Sequence, residues 1–148
     1  MKTKKGFGVE SFFSILEDVE KNKCDYYVHF RKATVGKVCA ENTHPFDVLG
    51  NQKLYLMHNG TIPGFKIEEN CQAEKSDTKL LSEELKAILY LQSNQKNYLL
   101  SKEFKSIVEQ KIGNNRLVLI SDQISIIFNE DLWVKSNGLK FSKKIEKK

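Results

Sequence analysis

The sequence contains few of the residues that would mark a secreted, membrane-bound or disulfide-stabilised protein. Its three cysteines among 148 residues are odd in number, and none stands in a Cys-x-x-Cys pair. That spacing argues against a zinc site or a disulfide framework and predicts free thiols in a reducing compartment. No apolar run approaches the roughly 18 residues of a membrane span, and no signal-peptide core follows the lysine-rich start. We therefore expect a cytoplasmic protein without a membrane segment.

Arginine is also scarce, which bears on the meaning of the net charge of +5. Arg31 and Arg116 are the two arginines, although this side chain is the preferred ligand of bases and phosphates. The excess lysines lie at the two ends of the chain, where such clusters are usually solvated. This pattern disfavours nucleic acid as a partner and leaves it as a minor alternative. It also predicts a frayed, lysine-rich tail over about residues 142–148.

Hydrophobic residues make up 40% of the chain, which together with its length indicates a single globular domain over residues 1–148. Apolar periodicity predicts helices over Val9–Lys21, from near Asp77 to Leu89, and over about Leu99–Lys111 before Gly113. Alternating and β-branched segments predict strands over Tyr26–Phe30, Lys53–His58, Leu117–Ile120, Ile124–Phe128, Leu132–Val134 and Leu139–Phe141. The last four strands are expected to form two hairpins, the second around Ser136-Asn137-Gly138. The sequence thus predicts an α+β fold of helices packed on antiparallel sheet.

Three polar residues are candidates for binding an amino acid. The planar guanidinium of Arg31, at a predicted strand end, suits a bidentate grip on a carboxylate, although a surface ion pair is the commoner role. Thr34 carries a hydroxyl that suits the same carboxylate, and its alternative role is that of an ordinary β-former. Asp77 suits an ammonium group, and its alternative role is to cap the helix that follows Ser76.

Asn59-Gly60 has two compatible interpretations. As a dipeptide it is the strongest short-range hairpin signal in the chain. An asparagine amide and a glycine N–H also suit an oxyanion hole, in which both donors face the negative charge that develops during acyl transfer.

The histidines His29, His44 and His58 lie near predicted strand ends and raise the question of a metal site. Their spacing matches no compact metal motif, and no acidic residue accompanies them closely. We therefore expect packed or hydrogen-bonded histidines, with no metal and no cofactor.

Four motifs occur in a fixed order along the first half of the chain. They are His29-Phe30-Arg31-Lys32-Ala33-Thr34-Val35-Gly36, Asn42-Thr43-His44-Pro45-Phe46, His58-Asn59-Gly60 and Ser76-Asp77-Thr78. In this order they resemble the glutamine pocket of the class II glutamine amidotransferases, which are N-terminal-nucleophile hydrolases. The strand-rich C-terminal part is similar to that of small, often phage-encoded members.

The resemblance implies a role for each candidate residue. Arg31 and Thr34 would bind the carboxylate of glutamine, Asp77 its amino group, and Asn59 with Gly60 would form the oxyanion hole. His44 would shape the pocket. The implied activity is the hydrolysis of glutamine to glutamate and ammonia. The implied fold is an αββα sandwich, in which two largely antiparallel sheets lie between helices.

The sequence departs from the family in two places. Val35 stands where members frequently have histidine, and Lys2 follows Met1 where members have the cysteine nucleophile. We therefore expect a domain that is missing the family's first strands, with a complementing N-terminal fragment or a protein partner filling the gap. Whether the chain is an enzyme is left open. The alternative is a catalytically inactive module of the same fold that binds an amino acid or a protein.

Overall fold

The computed structural model describes residues 3–22, 26–31, 36–50, 53–65, 74–92 and 94–143 of the chain. The α-helices are α1 (Val9–Asn22), α2 (Asp77–Tyr90), α3 (Gln95–Leu99) and α4 (Lys102–Ile112). The strands are β1 (Phe46–Asp47), β2 (Tyr55–Asn59), β3 (Arg116–Ile120), β4 (Ser125–Phe128), β5 (Val134–Ser136) and β6 (Leu139–Phe141). Single turns of 3-10 helix lie at Ala40–Asn42 and Glu130–Leu132.

Over these ranges the strands form one antiparallel sheet in the order β1-β2-β3-β4 and a separate hairpin, β5-β6. In β2 and β3 the side chains alternate between two faces, as the pleat requires. One face, which includes Leu56 and Leu119, packs against α2 and α4. The helices contribute Leu81, Leu85, Leu89, Phe104, Val108 and Ile112 to this core. The α+β prediction is therefore confirmed.

Local sequence signals explain where the helices begin and end. The Ser76 hydroxyl accepts a hydrogen bond from the Lys79 N–H and caps α2, as the Ser76-Asp77 pattern predicts. The Ser101 hydroxyl does the same for Phe104 at the start of α4. Because Ser101 opens a new helix, the predicted helix from Leu99 to Lys111 is wrong at its start: α3 ends at Leu99, and α4 runs to Ile112. Gly113, at φ +58°, follows α4 where the sequence predicted the helix to stop.

Both predicted C-terminal hairpins are confirmed, but the strand predicted over Leu132–Val134 is wrong in its bounds, because Leu132 ends a 3-10 turn and β5 runs over Val134–Ser136. Ser136 pairs with Leu139, and Asn137 and Gly138 both have positive φ, as a two-residue type I′ turn requires. The hairpin interpretation of Asn59-Gly60 is wrong. The chain leaves β2 there and proceeds to α2, and the sheet partners of β2 are β1 and the distant β3.

The prediction of a strand over Tyr26–Phe30 is also wrong, because these residues pair with no strand in the described part of the chain. Tyr27 Oη lies 2.6 Å from Ser125 Oγ, whose ladder partner Ile120 faces away from Leu56 and Leu119, toward the second face of the sheet. That face carries the buried side chains Tyr55, Val118 and Ile120, which lie outside the main core. The sheet is therefore apolar on both sides.

The remaining predictions about the chain are met in part. Cys39 is a free thiol, whereas Cys24 and Cys71 lie outside the described residues. The same holds for residues 144–148, which make up most of the predicted tail. None of the helices in the described ranges combines the length and apolar character that crossing a bilayer requires.

Candidate functional site

A buried polar cluster lies where the end of β2 meets the start of α2. His44, His58, Asp77 and Thr78 are all at least nine-tenths buried there, and His29 is half-buried beside them. Polar side chains are rarely buried unless they form hydrogen bonds, so the contacts among these residues define the site.

A chain of hydrogen bonds joins β2 to α2. His58 Nδ1 lies 3.0 Å from Thr78 Oγ1, which lies 3.2 Å from Asp77 Oδ1. Because an ionised carboxylate only accepts, the Thr78 hydroxyl donates to Asp77 and therefore accepts from His58 Nδ1–H. The other Asp77 oxygen, Oδ2, accepts the Ile62 N–H at 2.9 Å. Asp77 thus holds the backbone two residues after Gly60.

The other two histidines pack beside this chain. His29 Nε2 donates to the His58 carbonyl at 2.9 Å, and the His29 ring stacks on His44 with 3.7 Å between centroids. His44 also meets the ring of Phe46 edge to face. The sequence predicted packed or hydrogen-bonded histidines, and all three fit that description.

Burial keeps these histidines neutral. It lowers the pKa of His44 to about 2, and the proximity of His29, His58 and Arg31, which opposes a further positive charge, acts in the same direction. Burial also lowers the pKa of His58, and the Asp77 carboxylate only partly opposes this. The pKa of His29 falls for the same reason, against the effect of its hydrogen bond to the His58 carbonyl. The cluster is therefore uncharged at its histidines near neutral pH.

Arg31 binds the backbone at Gly36 and Lys37, and Gly36 in turn packs on Ser76 at the start of α2. The Arg31 guanidinium donates to the carbonyls of Gly36 and Lys37 at 3.3 and 3.4 Å. Gly36, at φ +78°, packs against Ser76 so closely that a Cβ would stand 2.9 Å from the Ser76 nitrogen. The buried Asn42 completes the connection, since its Oδ1 accepts the Ser76 N–H at 3.0 Å and its Nδ2 donates to the Lys37 carbonyl at 3.1 Å. Arg31 therefore belongs to the surroundings of Asp77.

Asn59 and Gly60 lie at the end of β2, next to this cluster. Asn59 is half-buried and opposes Arg116 in the β2-β3 ladder. Within the ranges that the structure describes, the Asn59 amide forms no hydrogen bond to the protein. Gly60 has φ +131°, a conformation that L side chains rarely adopt.

The structure thus brings five of the six predicted site residues into one region. His44 and Asp77 lie in the buried cluster, Asn59 and Gly60 follow His58 directly, and Arg31 reaches the loop that packs on Ser76. Thr34, like Val35, lies outside the described residues.

Three further residues of the region were not assigned a role from the sequence. Asn42 and Thr78 stand within the quoted motifs, but a buried asparagine or threonine carries no pattern of its own. Asn115 is 55 positions beyond Gly60 in the chain yet contacts it directly. Only its position just before β3, the partner of β2, relates it to the site, and that pairing is a tertiary fact.

The described residues contain no group of three or more histidines, cysteines and carboxylates arranged to hold a metal ion. Among the described residues, the buried histidine nitrogens without a hydrogen-bond partner are His29 Nδ1, both nitrogens of His44 and His58 Nε2. The stacked rings and the hydrogen-bonded Asp77 suit a packed polar cluster better than a coordination sphere.

The region described above coincides with a segment that is recognisable in other proteins. Residues 14–78 match the glutamine amidotransferases of class II. The match spans under half of the chain but contains all six predicted site residues, and it supports a glutamine amidotransferase-like domain.

One curated relative carries the same resemblance. The protein described as "Putative glutamine amidotransferase YafJ" of Escherichia coli (strain K12) is 37% identical over 54 residues. These residues are 35% of this chain and 21% of the relative, so the similarity spans about a fifth of that protein. No solved structure matches the chain significantly.

Proposed function

We propose that this chain carries the glutamine-binding region of a class II glutamine amidotransferase domain. The observation that supports it is the shared location of Asn59, Gly60 and Asp77, joined through Ile62 within the matched segment. These residue types suit the two polar ends of glutamine, which are its side-chain amide and its free amino-acid group.

Each residue has a distinct part in the proposal. Arg31 and Thr34 bind the α-carboxylate, to which a guanidinium offers two parallel hydrogen bonds. Asp77 binds the ammonium group, since an ionised carboxylate has about four acceptor positions. The structure uses three of these, for the Ile62 N–H, the Thr78 N–H and the Thr78 hydroxyl. The Asn59 amide and the Gly60 N–H face the side-chain amide oxygen of glutamine, and His44 shapes the pocket wall.

In the proposed reaction, water and glutamine give glutamate and ammonia. Attack on the amide carbon places negative charge on its oxygen, and two fixed donors stabilise that charge without reorganising. We assign the role of these hydrogen-bond donors to the Asn59 amide and the Gly60 N–H but assign no nucleophile to this sequence. A chain that binds glutamine without releasing ammonia would be the inactive binding module instead.

The apolar second face of the sheet extends the proposal to the fold. In an αββα sandwich each sheet buries one face against helices and the other against a second sheet. Tyr55, Val118 and Ile120 supply such a face here and are already buried within the chain, whereas Phe30 is 70% exposed. We propose that a second layer, contributed by a protein partner or by another part of the same polypeptide, packs over the exposed Phe30.

Binding of L-glutamine to the 148-residue chain tests the proposed function. Isothermal titration should detect it, and saturation at 100 times Kd should stabilise the fold by about 2.7 kcal/mol. Arg31→Lys keeps the charge but removes the planar fork, so affinity should fall about tenfold or more, equivalent to about 1.4 kcal/mol.

The matched pair for the carboxylate is Asp77→Asn with Asp131→Asn as the control. Asp131 is exposed in the 3-10 turn Glu130–Leu132, so its substitution should leave glutamine affinity unchanged. Asp77→Asn should weaken binding because it removes the charge opposite the ammonium group. Equal affinities in the two variants, or no heat with the unsubstituted chain, would remove the proposal. An ammonia assay on the same samples separates hydrolysis from binding.

A further inference from the structure

The backbone that follows β2 is fixed at Asn59 and at Ile62, on either side of Gly60 and Thr61. At one end Asn59 pairs with Arg116 in the ladder. At the other end the Ile62 N–H donates to Asp77 Oδ2 at 2.9 Å. Gly60 and Thr61 lie between these two attachments and belong to no helix or strand. Something else must determine their position if the Gly60 N–H is to face a defined point.

Asn115 occupies that position. Its Nδ2 donates to the Thr61 carbonyl at 2.7 Å and to the Ile112 carbonyl at 2.7 Å, which ties the turn to the end of α4. Its Oδ1 lies so close to Gly60 that any Cβ at residue 60 would overlap it. The side chain therefore both binds the turn and restricts residue 60 to glycine.

Asn115 is itself anchored. Asn129, which follows β4 and has φ +49°, donates through Nδ2 to the carbonyls of Gly113 and Asn115 at 2.6 and 2.7 Å. The Asn129 N–H in turn donates to Glu109 Oε1 at 2.9 Å. The two asparagines thus connect the ends of α4 and β4 to Gly60 and Thr61. A small polar side chain with both donor and acceptor groups can satisfy such a junction of free carbonyls.

We propose that Asn115 is a positioning residue that fixes Gly60 and Thr61, so that the Gly60 N–H and the Asn59 amide face the reacting carbonyl of glutamine. Asn115 touches no substrate and acts through Gly60. The inference rests on the proposed function for the direction of those donors, whereas the hold of Asn115 on the turn stands on the free protein. Preorganisation of this kind matters because an oxyanion hole acts through donors that do not need to move.

Backbone order in the free chain tests the hold on the turn. In ¹⁵N relaxation measurements the order parameters of Gly60 and Thr61 should be near about 0.85 and fall below about 0.6 in Asn115→Ala. Asn114→Ala is the matched control, because Asn114 is exposed and its side chain should leave the turn unchanged. Asn129→Ala keeps the Asn115 side chain but removes its anchor, so it should give an intermediate loss. If Asn115→Ala does not fold, the order parameters of Gly60 and Thr61 in Asn129→Ala test the proposal instead. Unchanged order at Gly60 and Thr61 in these variants overturns the proposal.

Titration with L-glutamine tests the connection to the site. The Gly60 amide proton should shift downfield in the unsubstituted chain and in Asn114→Ala, and by at most half as much in Asn115→Ala. A merely structural role for Asn115 would lower stability without changing this shift, and an equal shift in Asn115→Ala overturns the positioning role. If the unsubstituted chain shows no shift, the proposed function fails, while the order parameters still decide whether Asn115 holds the turn.

Discussion

At the scale of single residues, the site depends on buried polar groups that satisfy one another. Asp77 accepts hydrogen bonds from Ile62 and Thr78, and Asn42 bridges the Arg31 loop and Ser76. Each of these side chains also has an ordinary structural explanation, as a cap or a turn. What distinguishes these side chains is that their hydrogen bonds join distant parts of the chain. Those bonds matter because an unsatisfied buried polar group costs about 1–3 kcal/mol and therefore rarely persists.

The neutral histidines make stability depend on pH. An unfolded histidine binds a proton with a pKa near about 6.5, whereas folded His44 remains neutral down to about pH 2. The unfolded state therefore binds more protons below about pH 6.5, so stability decreases as the pH falls through that range. His44 contributes a slope of about 1.4 kcal/mol per pH unit where it is protonated in the unfolded state but neutral in the folded state.

His44→Phe keeps a ring between His29 and Phe46 but removes the titrating group. We expect its unfolding free energy to fall less steeply than that of the unsubstituted chain between pH 5.5 and 4, by about 1.4 kcal/mol per pH unit. Urea unfolding at several pH values measures both slopes. Carboxylates titrate equally in the two proteins, so parallel curves would contradict the neutral, buried state of His44.

At the scale of elements, burial separates the parts of the chain that carry stability from those that do not. α2 and α4 bury one apolar face each against the sheet. None of the α1 side chains that the structure describes is fully buried, although the helix is amphipathic. Apolar periodicity identified α1, α2 and α4. It did not reveal that only α2 and α4 of these three pack in the core.

Substitution of two phenylalanines should show this difference. Phe104, in α4, is fully buried between Tyr98 and Phe128, so Phe104→Ala should cost about 3–5 kcal/mol through lost burial and a cavity. Phe30→Ala is the matched control at 70% exposure, and it should cost under about 1 kcal/mol. Chemical denaturation measures both. Similar losses would mean that the segment 26–31 packs more firmly than its exposure indicates.

At the scale of the whole molecule, the described residues leave aromatic side chains gathered on one surface. Phe12 meets the ring of Phe30 at 4.9 Å and that of Phe13 at 5.5 Å, and Phe13 and Phe30 are 55% and 70% exposed. Contiguous apolar surface of this kind usually marks an interaction site. The surface includes Phe30, which is where the proposed second layer would pack.

Binding of an apolar fluorescent dye should locate this surface. We expect the chain to bind anilinonaphthalene sulfonate and the double variant Phe13→Ser/Phe30→Ser to bind clearly less, with little change in melting temperature. Tyr90→Ser/Leu91→Ser is the matched control, because these residues are 82% and 81% exposed at the end of α2. Equal loss of dye binding in both double variants would show that the exposed residues act singly and form no common surface.

The amino-acid sequence by itself determined the local features of this protein. The Ser76-Asp77 pattern marks the start of α2, Asn137-Gly138 makes the turn of a hairpin, and four motifs in a fixed order resemble those of the class II glutamine amidotransferases. These signals depend on neighbouring residues, and local propensity is therefore enough to identify them. The same local reasoning failed for Asn59-Gly60, which ends β2 without forming a hairpin, and for Tyr26–Phe30, which pairs with no strand in the described part of the chain.

Only the tertiary structure decided which residues meet. It placed Asp77 on the backbone beyond Gly60, Asn115 against Gly60 from 55 positions away, and His29 on both His44 and His58. These contacts form because strand pairing between β2 and β3 and helix packing bring distant segments together. No local pattern encodes such a pairing, so the candidate residues were recognisable from the sequence, whereas their arrangement as a site was not.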